Sequence, residues 1–252
     1  MSGHSKWSTI KHGKAISDAR RGKLFTKLTK EIIVAAREGG GNSDMNVRLR
    51  MAIQRARDNN MPADNITRAV KRATGEGSDQ IQMIEAIYEG YGPGGTAILL
   101  ETLSDNRNRT VSDVRSTLTK AGGNLAESGA VAWQFQQKGV LVMDATEGVA
   151  EDLALTAIDA GAEDFETFDA ILQVYSTPDA LEDIREALKC TEASIKSSEI
   201  SMVPSHLIQL DDKTAMKNLR LLDRLEELDD VQRVFSNADF SEGVIETYRM
   251  EN

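Results

Sequence analysis

The chain has 252 residues, and its 40% hydrophobic and 28% charged residues exclude an intrinsically disordered protein. No apolar run approaches the ~18 residues of a membrane span, and the single cysteine, Cys190, excludes an intrachain disulfide and favours a reducing compartment such as the cytoplasm. The charge is divided unevenly: residues 1–75 contain 16 Lys or Arg and 6 Asp or Glu, a net of +10, whereas residues 76–252 carry a net of −20. Cations concentrated in one segment are typical of nucleic-acid binding, so we expect a basic binding module on an acidic body that repels polyanions.

Residues 1–15 are polar and basic, and they predict a mobile arm. Trp7 lies among cations, where it is suited either to stacking on an unpaired base or to packing on the neighbouring helices. His12 lies between Lys11 and Lys14 with no carboxylate or nucleophile beside it in the sequence. We therefore interpret His12 as a phosphate neighbour and not as a catalyst.

Three helical patterns follow, each with one apolar face. The first covers residues 17–38 and ends at the glycines of residues 39–41. The second covers about residues 46–59, and the third has Pro62 in its first turn, where the missing N–H does no harm. Together they predict a small helical bundle that ends at a linker, residues 75–78.

Cations line these three predicted helices at helical spacing. Lys23, Lys27 and Lys30 belong to a stripe, about 100° wide, beside the apolar face of the first helix. A solvated face normally mixes charges of both signs, so the stripe favours phosphate binding over simple solvation. Arginine predominates on the other two helices, which suits bidentate phosphate contacts. The residues predicted to bind nucleic acid, including those of the arm, are Lys6, Trp7, Lys11, His12, Lys14, Arg20, Arg21, Lys23, Lys27, Lys30, Arg37, Arg48, Arg50, Arg55, Arg57, Arg68, Lys71 and Arg72.

Beyond the linker the pattern changes to alternating strands and helices. Strands are predicted at residues 85–89, 96–103 and 130–135, with a helix at residues 110–121 between the second and third. Residues 137–203 then follow the order strand, helix, strand, strand, helix, strand, which is the ferredoxin-like βαββαβ pattern. After Pro204, a strand, a helix and a strand resemble the missing second half of the earlier unit.

The sequence therefore predicts an α+β fold with three domains. Residues 1–78 form a basic helical domain that binds nucleic acid. Residues 79–135 and 205–252 form a discontinuous α/β domain, and residues 136–204 form an inserted, acidic, ferredoxin-like domain with a net charge of −11.

Two loops of the central part contain motifs. Residues 90–95 match the letters G-x-G-x-x-G, but a strand follows them, so we interpret them as a strand connector and not as a dinucleotide site. Residues 105–110 lead into a helix, and Thr110 with Asp113 predicts a capping box. Arg107 and Arg109 in this loop are candidates for a second contact with nucleic acid or a partner, with a structural loop as the alternative.

Catalytic and metal-binding patterns are missing from the sequence. His4, His12 and His206 are far apart and lack the cysteine spacing of a zinc site. The sequence also lacks G-x-S-x-G, Walker A and H-E-x-x-H motifs. We therefore expect a protein without enzymatic activity, cofactor, metal, small-molecule substrate or membrane partner.

Several motifs taken together resemble the YebC/PmpR family across essentially the whole chain. They include Gly3-His4-Ser5-Lys6-Trp7, Asn59-Asn60-Met61-Pro62, Tyr88-Glu89-Gly90-Tyr91-Gly92-Pro93-Gly94-Gly95 and Asp105-Asn106-Arg107-Asn108-Arg109-Thr110. The resemblance implies one helical and two α/β domains in a cytoplasmic, non-enzymatic, DNA-binding transcriptional regulator. A related mitochondrial translational activator points instead to the ribosome and ribosomal RNA.

The residues leave DNA and RNA open as the ligand. Phosphate contacts provide affinity for either polymer. The sequence lacks a clear recognition helix with Asn or Gln base readers, which disfavours sequence-specific DNA binding. Trp7 in the arm suits unstacked RNA bases. An enzyme with an unrecognised site is the remote third alternative.

Overall fold

The computed structural model describes residues 18–75, 83–145, 148–168, 170–189, 191 and 194–251. It confirms the predicted fold class, in which three helices precede two α/β units and the second unit is inserted into the first. The arm residues Lys6, Trp7, Lys11, His12 and Lys14 lie outside the described residues. Within the described ranges, every helix is too short or too polar to cross a membrane.

The helices and strands follow one another along the chain with bounds close to those predicted. In chain order they are α1 (Asp18–Gly39), α2 (Val47–Asp58), α3 (Ala63–Thr74), β1 (Ile84–Tyr91), β2 (Ala97–Ser104), α4 (Arg107–Lys120), β3 (Asn124–Leu125), β4 (Phe135–Asp144), α5 (Ala150–Asp159), β5 (Asp164–Phe168), β6 (Ile171–Ser176), α6 (Leu181–Lys189), β7 (Ile195–Pro204), β8 (Ile208–Gln209), α7 (Asp212–Glu226), β9 (Val231–Ser236), β10 (Ala238–Asp239) and α8 (Glu242–Glu251).

The N-terminal helices bury one apolar cluster that includes Leu28, Ile32, Leu49 and Ile66. The turn between α1 and α2 is fixed by Asn46, whose side chain accepts a hydrogen bond from the Leu49 amide and donates to the Ala35 and Gly40 carbonyls. A Cβ on Gly39 would lie only 2.5 Å from the Asn46 amide nitrogen. Glycine at the end of α1 therefore allows the cap of α2 to close on α1.

The central domain is built on a four-stranded antiparallel sheet in the order β3-β1-β2-β9. Strands β1 and β2 form a hairpin through the glycine-rich loop, as predicted for a strand connector. Helices α4, α7 and α8 cover one face of the sheet and share a core with it. Strand β9 pairs with β2 although the whole inserted unit lies between them in the sequence.

The inserted unit has a second antiparallel sheet in the order β5-β6-β4-β7, with α5 and α6 packed on one face. This strand order is the ferredoxin-like arrangement that the βαββαβ pattern predicts. Strand β4 pairs with β7 from Phe135 to Met143, so the two strands close the insert where it leaves the central sheet. The exact residue bounds of the three domains stay a prediction.

Two local predictions were wrong. The strand expected at residues 130–135 is a loop with a short 3₁₀ turn before β4, because the Glu89 carboxylate binds the backbone amides of Gly129, Val131 and Ala132 and these amides are unavailable for strand pairing. The capping box expected at Thr110 is absent from α4, since Asn106 caps the helix four residues earlier.

Candidate nucleic-acid interface

The predicted nucleic-acid-binding cations of the three helices separate into two groups in the structure. Members of the first group contact the other two domains or acidic side chains, and they are Arg20, Lys23, Lys27, Lys30, Arg48 and Arg55. Members of the second group are exposed and have no carboxylate within 4 Å among the described residues, and they are Arg50, Arg57, Arg68, Lys71 and Arg72. Arg21 and Arg37 are also exposed.

The lysine stripe of α1 lies against the C-terminal end of α7. The ammonium group of Lys23 donates to the Glu227 carbonyl at 3.3 Å, and that of Lys30 donates to the Asp229 carbonyl at 3.2 Å. Lys27, only 8% exposed, donates to the Glu226 carbonyl. The last carbonyls of a helix lack intrahelical partners and carry partial negative charge, so Lys23 and Lys27 cap the C-terminal end of α7, and Lys30 binds the loop that follows it.

This docking contact was missed by sequence reasoning, although a signal for it existed. Residues 226–230 read Glu-Glu-Leu-Asp-Asp, a run of charge opposite to the stripe, and it immediately follows the predicted long helix. Arg20 extends the contact with a 3.0 Å ion pair to Glu227. The role of the stripe in phosphate binding stays a prediction, and the structure adds an intramolecular partner for it.

A cluster of charged side chains joins all three domains. Arg55 of α2 pairs with Glu31 of α1 at 2.9 Å and with Glu199 of the insert at 3.5 Å. Arg233 of β9 also pairs with Glu199, and it lies opposite Glu101 in the register of β2 and β9. Burial raises the pKa of Glu101, and the neighbouring arginines only partly oppose this effect.

The exposed group is best defined on α3. Arg68, Lys71 and Arg72 lie on the face of α3 opposite its buried Ile66 and Ala73. The Arg68 side chain bonds only to the Asp64 carbonyl and to the side-chain oxygen of Asn65, and the charged groups of Lys71 and Arg72 make no hydrogen bond or ion pair with another described residue. We name these three cations the α3 face; Arg50 and Arg57 add exposed charge on α2.

The candidate second contact at the start of α4 divides between its two arginines. Arg109 donates to both carboxylate oxygens of Asp230, at 3.0 and 2.8 Å, and to Asp105 at 2.7 Å. Burial alone would raise the pKa of Asp230, but hydrogen bonds from Arg109, Ser104 and Thr110 outweigh it and the pKa is lowered. Arg109 is therefore part of the structural network, whereas Arg107 is exposed and makes no ion pair with a described residue.

A cleft of about 610 Å³ separates the lysine stripe from the start of α4. Its basic lining comes from Lys23, Lys30 and Arg109. Its acidic lining is larger and consists of Asp105, Asp113, Glu227, Asp229 and Asp230. The excess of carboxylates makes this cleft unsuitable for a phosphate group. In the described ranges, no group of three or more His, Cys, Asp or Glu side chains is arranged to hold a metal ion.

Comparisons with known proteins identify the family. Residues 5–76 match the model of the TACO1/YebC protein N-terminal domain, and residues 83–238 match that of the TACO1/YebC second and third domain. A probable transcriptional regulatory protein of Dehalococcoides mccartyi strain BAV1 is 53% identical over all of both chains. Another of the same name, from Halothermothrix orenii, is 51% identical over 98% of both chains.

A solved structure is also similar. The crystal structure of a conserved hypothetical protein from Aquifex aeolicus has a TM-score of 0.80 to this chain and 46% sequence identity. The match covers 89% of this chain and 93% of that chain. The overall fold is thus shared with an experimental structure.

Proposed function

The chain belongs to the TACO1/YebC family, and we propose that it is a cytoplasmic, non-enzymatic regulator that binds duplex DNA through the exposed cations of its N-terminal helices. The α3 face carries the proposal. Its three cations are exposed and make no ion pair within the described part of the chain, so their charge is available to phosphates. The name of the relatives as probable transcriptional regulatory proteins supports DNA as the ligand.

The chemistry of the surface defines the kind of binding. Lys and Arg that neutralise phosphates release counterions, and they position a protein on DNA without reading its sequence. Asn65, a side chain of the base-reading type beside this face, has its oxygen engaged by Arg68. We therefore propose binding that depends strongly on salt and weakly on sequence.

A titration of the full chain with a labelled duplex tests the proposal. The triple variant Arg68→Gln, Lys71→Gln and Arg72→Gln should reduce the slope of log affinity against log salt by about 0.9 for each phosphate that is no longer neutralised, up to about 3. Its fold should persist, because all three side chains point away from the core of the bundle. Circular dichroism and thermal unfolding check the fold.

The matched control changes the same amount of charge elsewhere. Lys138, Lys189 and Lys196 of the insert pair with Glu163, Glu186 and Asp144. Replacing these lysines with Gln should leave the salt slope unchanged. An α3 variant that binds DNA as the wild type does would contradict the proposal. If a folded ribosomal RNA outcompetes the duplex by orders of magnitude, the ligand is RNA and not DNA.

A further inference from the structure

A second basic surface lies on the central domain, within the part of the chain that carries a net of −20. Helix α4 presents Arg107, Arg115 and Lys120 on its exposed side. The hydroxyls of Ser112 and Ser116 line the same open groove between these cations. The acidic Asp113 of α4 lines the cleft beside the lysine stripe and not this groove.

Helix α7 has a stripe of cations that runs nearly parallel to its axis. Lys213, Lys217 and Arg224 recur at spacings of 4 and 7, and at ~100° per residue they fall within an arc of about 40°. All three are exposed. Arg220 lies on the same stripe but forms a 2.7 Å ion pair with Glu251. The opposite side of α7 is buried, as Leu222 shows with 1% exposure.

The two helices belong to one layer. Val114 and Leu118 of α4 and Ala215 and Leu219 of α7 lie in the same core cluster, so both helices pack side by side on one face of the central sheet. Their outward sides therefore form a joint surface. We name it the α4–α7 face, and its members are Arg107, Arg115, Lys120, Lys213, Lys217 and Arg224. The charged side-chain groups of these six residues make no hydrogen bond or ion pair with any other residue that the structure describes.

We propose that the α4–α7 face is a second binding site for the phosphodiester backbone of nucleic acid; this inference rests on the proposed function. Unpaired cations interleaved with hydroxyl donors match the contacts that phosphates receive in protein–DNA complexes. Among the described residues of this face there is no large exposed apolar side chain, so it lacks the anchors of a protein–protein interface.

The position of the face connects it to the N-terminal domain. Lys213 and Arg224 are separated by about 17 Å along α7. Beyond Arg224, the end of α7 receives Arg20 and Lys23 of α1. The carboxylates at this end of α7 and the acidic insert both repel phosphate, so a bound backbone is confined to the α4–α7 face. The site lies outside residues 1–75, where the charge of the sequence alone places all nucleic-acid binding.

Titration of the full chain with a labelled duplex tests the inference. The triple variant Arg115→Gln, Lys213→Gln and Lys217→Gln should bind on the order of 10 to 100 times more weakly near 0.1 M salt, with the salt slope reduced by about 2 to 3. The control variant with Gln at Lys138, Lys189 and Lys196 has the same net charge and should bind as the wild type does. Lysine acetylation with mass spectrometry supplies an independent readout, in which bound duplex protects Lys120, Lys213 and Lys217.

The outcomes separate this inference from the proposed function. If the wild type binds and only the α3 variant is weakened, the α4–α7 face is not a nucleic-acid site and the proposed function stands. Equal weakening of the α4–α7 and control variants would also overturn the inference, because it would reflect net charge alone. A wild type that binds neither duplex nor folded RNA would overturn both proposals. An acidic protein would then be the ligand to test on these exposed cations.

Discussion

Glu89 shows how one buried carboxylate fixes a loop. It is 4% exposed, and its oxygens accept hydrogen bonds from the amides of Gly129, Val131 and Ala132 at 2.6, 2.7 and 2.8 Å. Burial alone would raise the pKa of Glu89, but these three amides outweigh it and the pKa is lowered. The ionised form is therefore favoured in the folded protein, and the charge holds the turn that precedes the insert.

Glu89→Gln should lower the free energy of unfolding by about 2–4 kcal/mol at pH 7, because an amide NH₂ would face backbone N–H groups. A carboxyl with a lowered folded pKa stabilises the protein above its unfolded pKa of about 4.3, and this contribution is lost as the pH falls through the folded value. The difference between the wild type and the variant should therefore shrink below about pH 4. Urea denaturation at several pH values measures it.

Glu127→Gln is the control, since Glu127 is exposed in the same loop. Its free energy of unfolding should change by no more than about 0.5 kcal/mol. A Glu89 variant as stable as this control at pH 7 would show that the three amide contacts contribute little to stability.

At the scale of elements, periodicity predicted most of what local sequence determines. The apolar faces of α1 and α2 gave bounds within about one residue, since those faces pack against adjacent helices. The prediction of a strand at residues 130–135 was wrong, because backbone amides in and beside this segment bind the Glu89 carboxylate, some 40 positions earlier in the sequence. The hydrophobic pattern of a segment does not predict a hydrogen-bond partner so distant in the sequence.

The candidate site also has a part that the sequence predicted and a part that it did not. Exposure of the α3 face follows from its position opposite an apolar stripe and was predictable. The docking of the lysine stripe on α7 was not, because Lys27 and the Glu226 carbonyl lie 199 positions apart. The α4–α7 face was not predicted for another reason. Its cations lie in two segments that the acidic insert separates, and the net charge of −20 over residues 76–252 gave no indication of them.

Lys27→Met tests the docking of α1 on α7. The variant keeps an apolar stem in the buried position but leaves the Glu226 carbonyl without its cationic donor, so the free energy of unfolding should fall by about 1–3 kcal/mol. Lys71→Met on the exposed α3 face should change it by at most about 0.5 kcal/mol. Thermal and urea unfolding measure both variants.

The opposite pattern would contradict the docking role. If Lys27→Met keeps the stability of the wild type and loses affinity for nucleic acid, the stripe acts on phosphate as the charge pattern alone predicts.

For the whole molecule, the charged cluster at the junction links all three domains. Glu31, Glu101 and Glu199 surround Arg55 and Arg233, so three domains share two guanidinium groups. Burial by itself disfavours the charge of Arg233, but the nearby carboxylates outweigh it and raise its pKa. Since the α3 face and the α4–α7 face lie on different domains, this junction also sets their relative position.

Arg233→Met should lower the free energy of unfolding of the full chain by about 2–4 kcal/mol, because it leaves three carboxylates around Arg55 alone. Arg233 also donates to the Ile200 carbonyl, so the contact between the central domain and the insert weakens as well.

Glu101→Gln in the same cluster should have the opposite effect on stability. A carboxyl with a raised folded pKa costs stability when it is ionised at higher pH, so removing this charge should preserve or increase stability at pH 7. Calorimetry of both variants measures the effect, and an Arg233→Met protein as stable as the wild type would show that this charged cluster contributes little to holding the domains together.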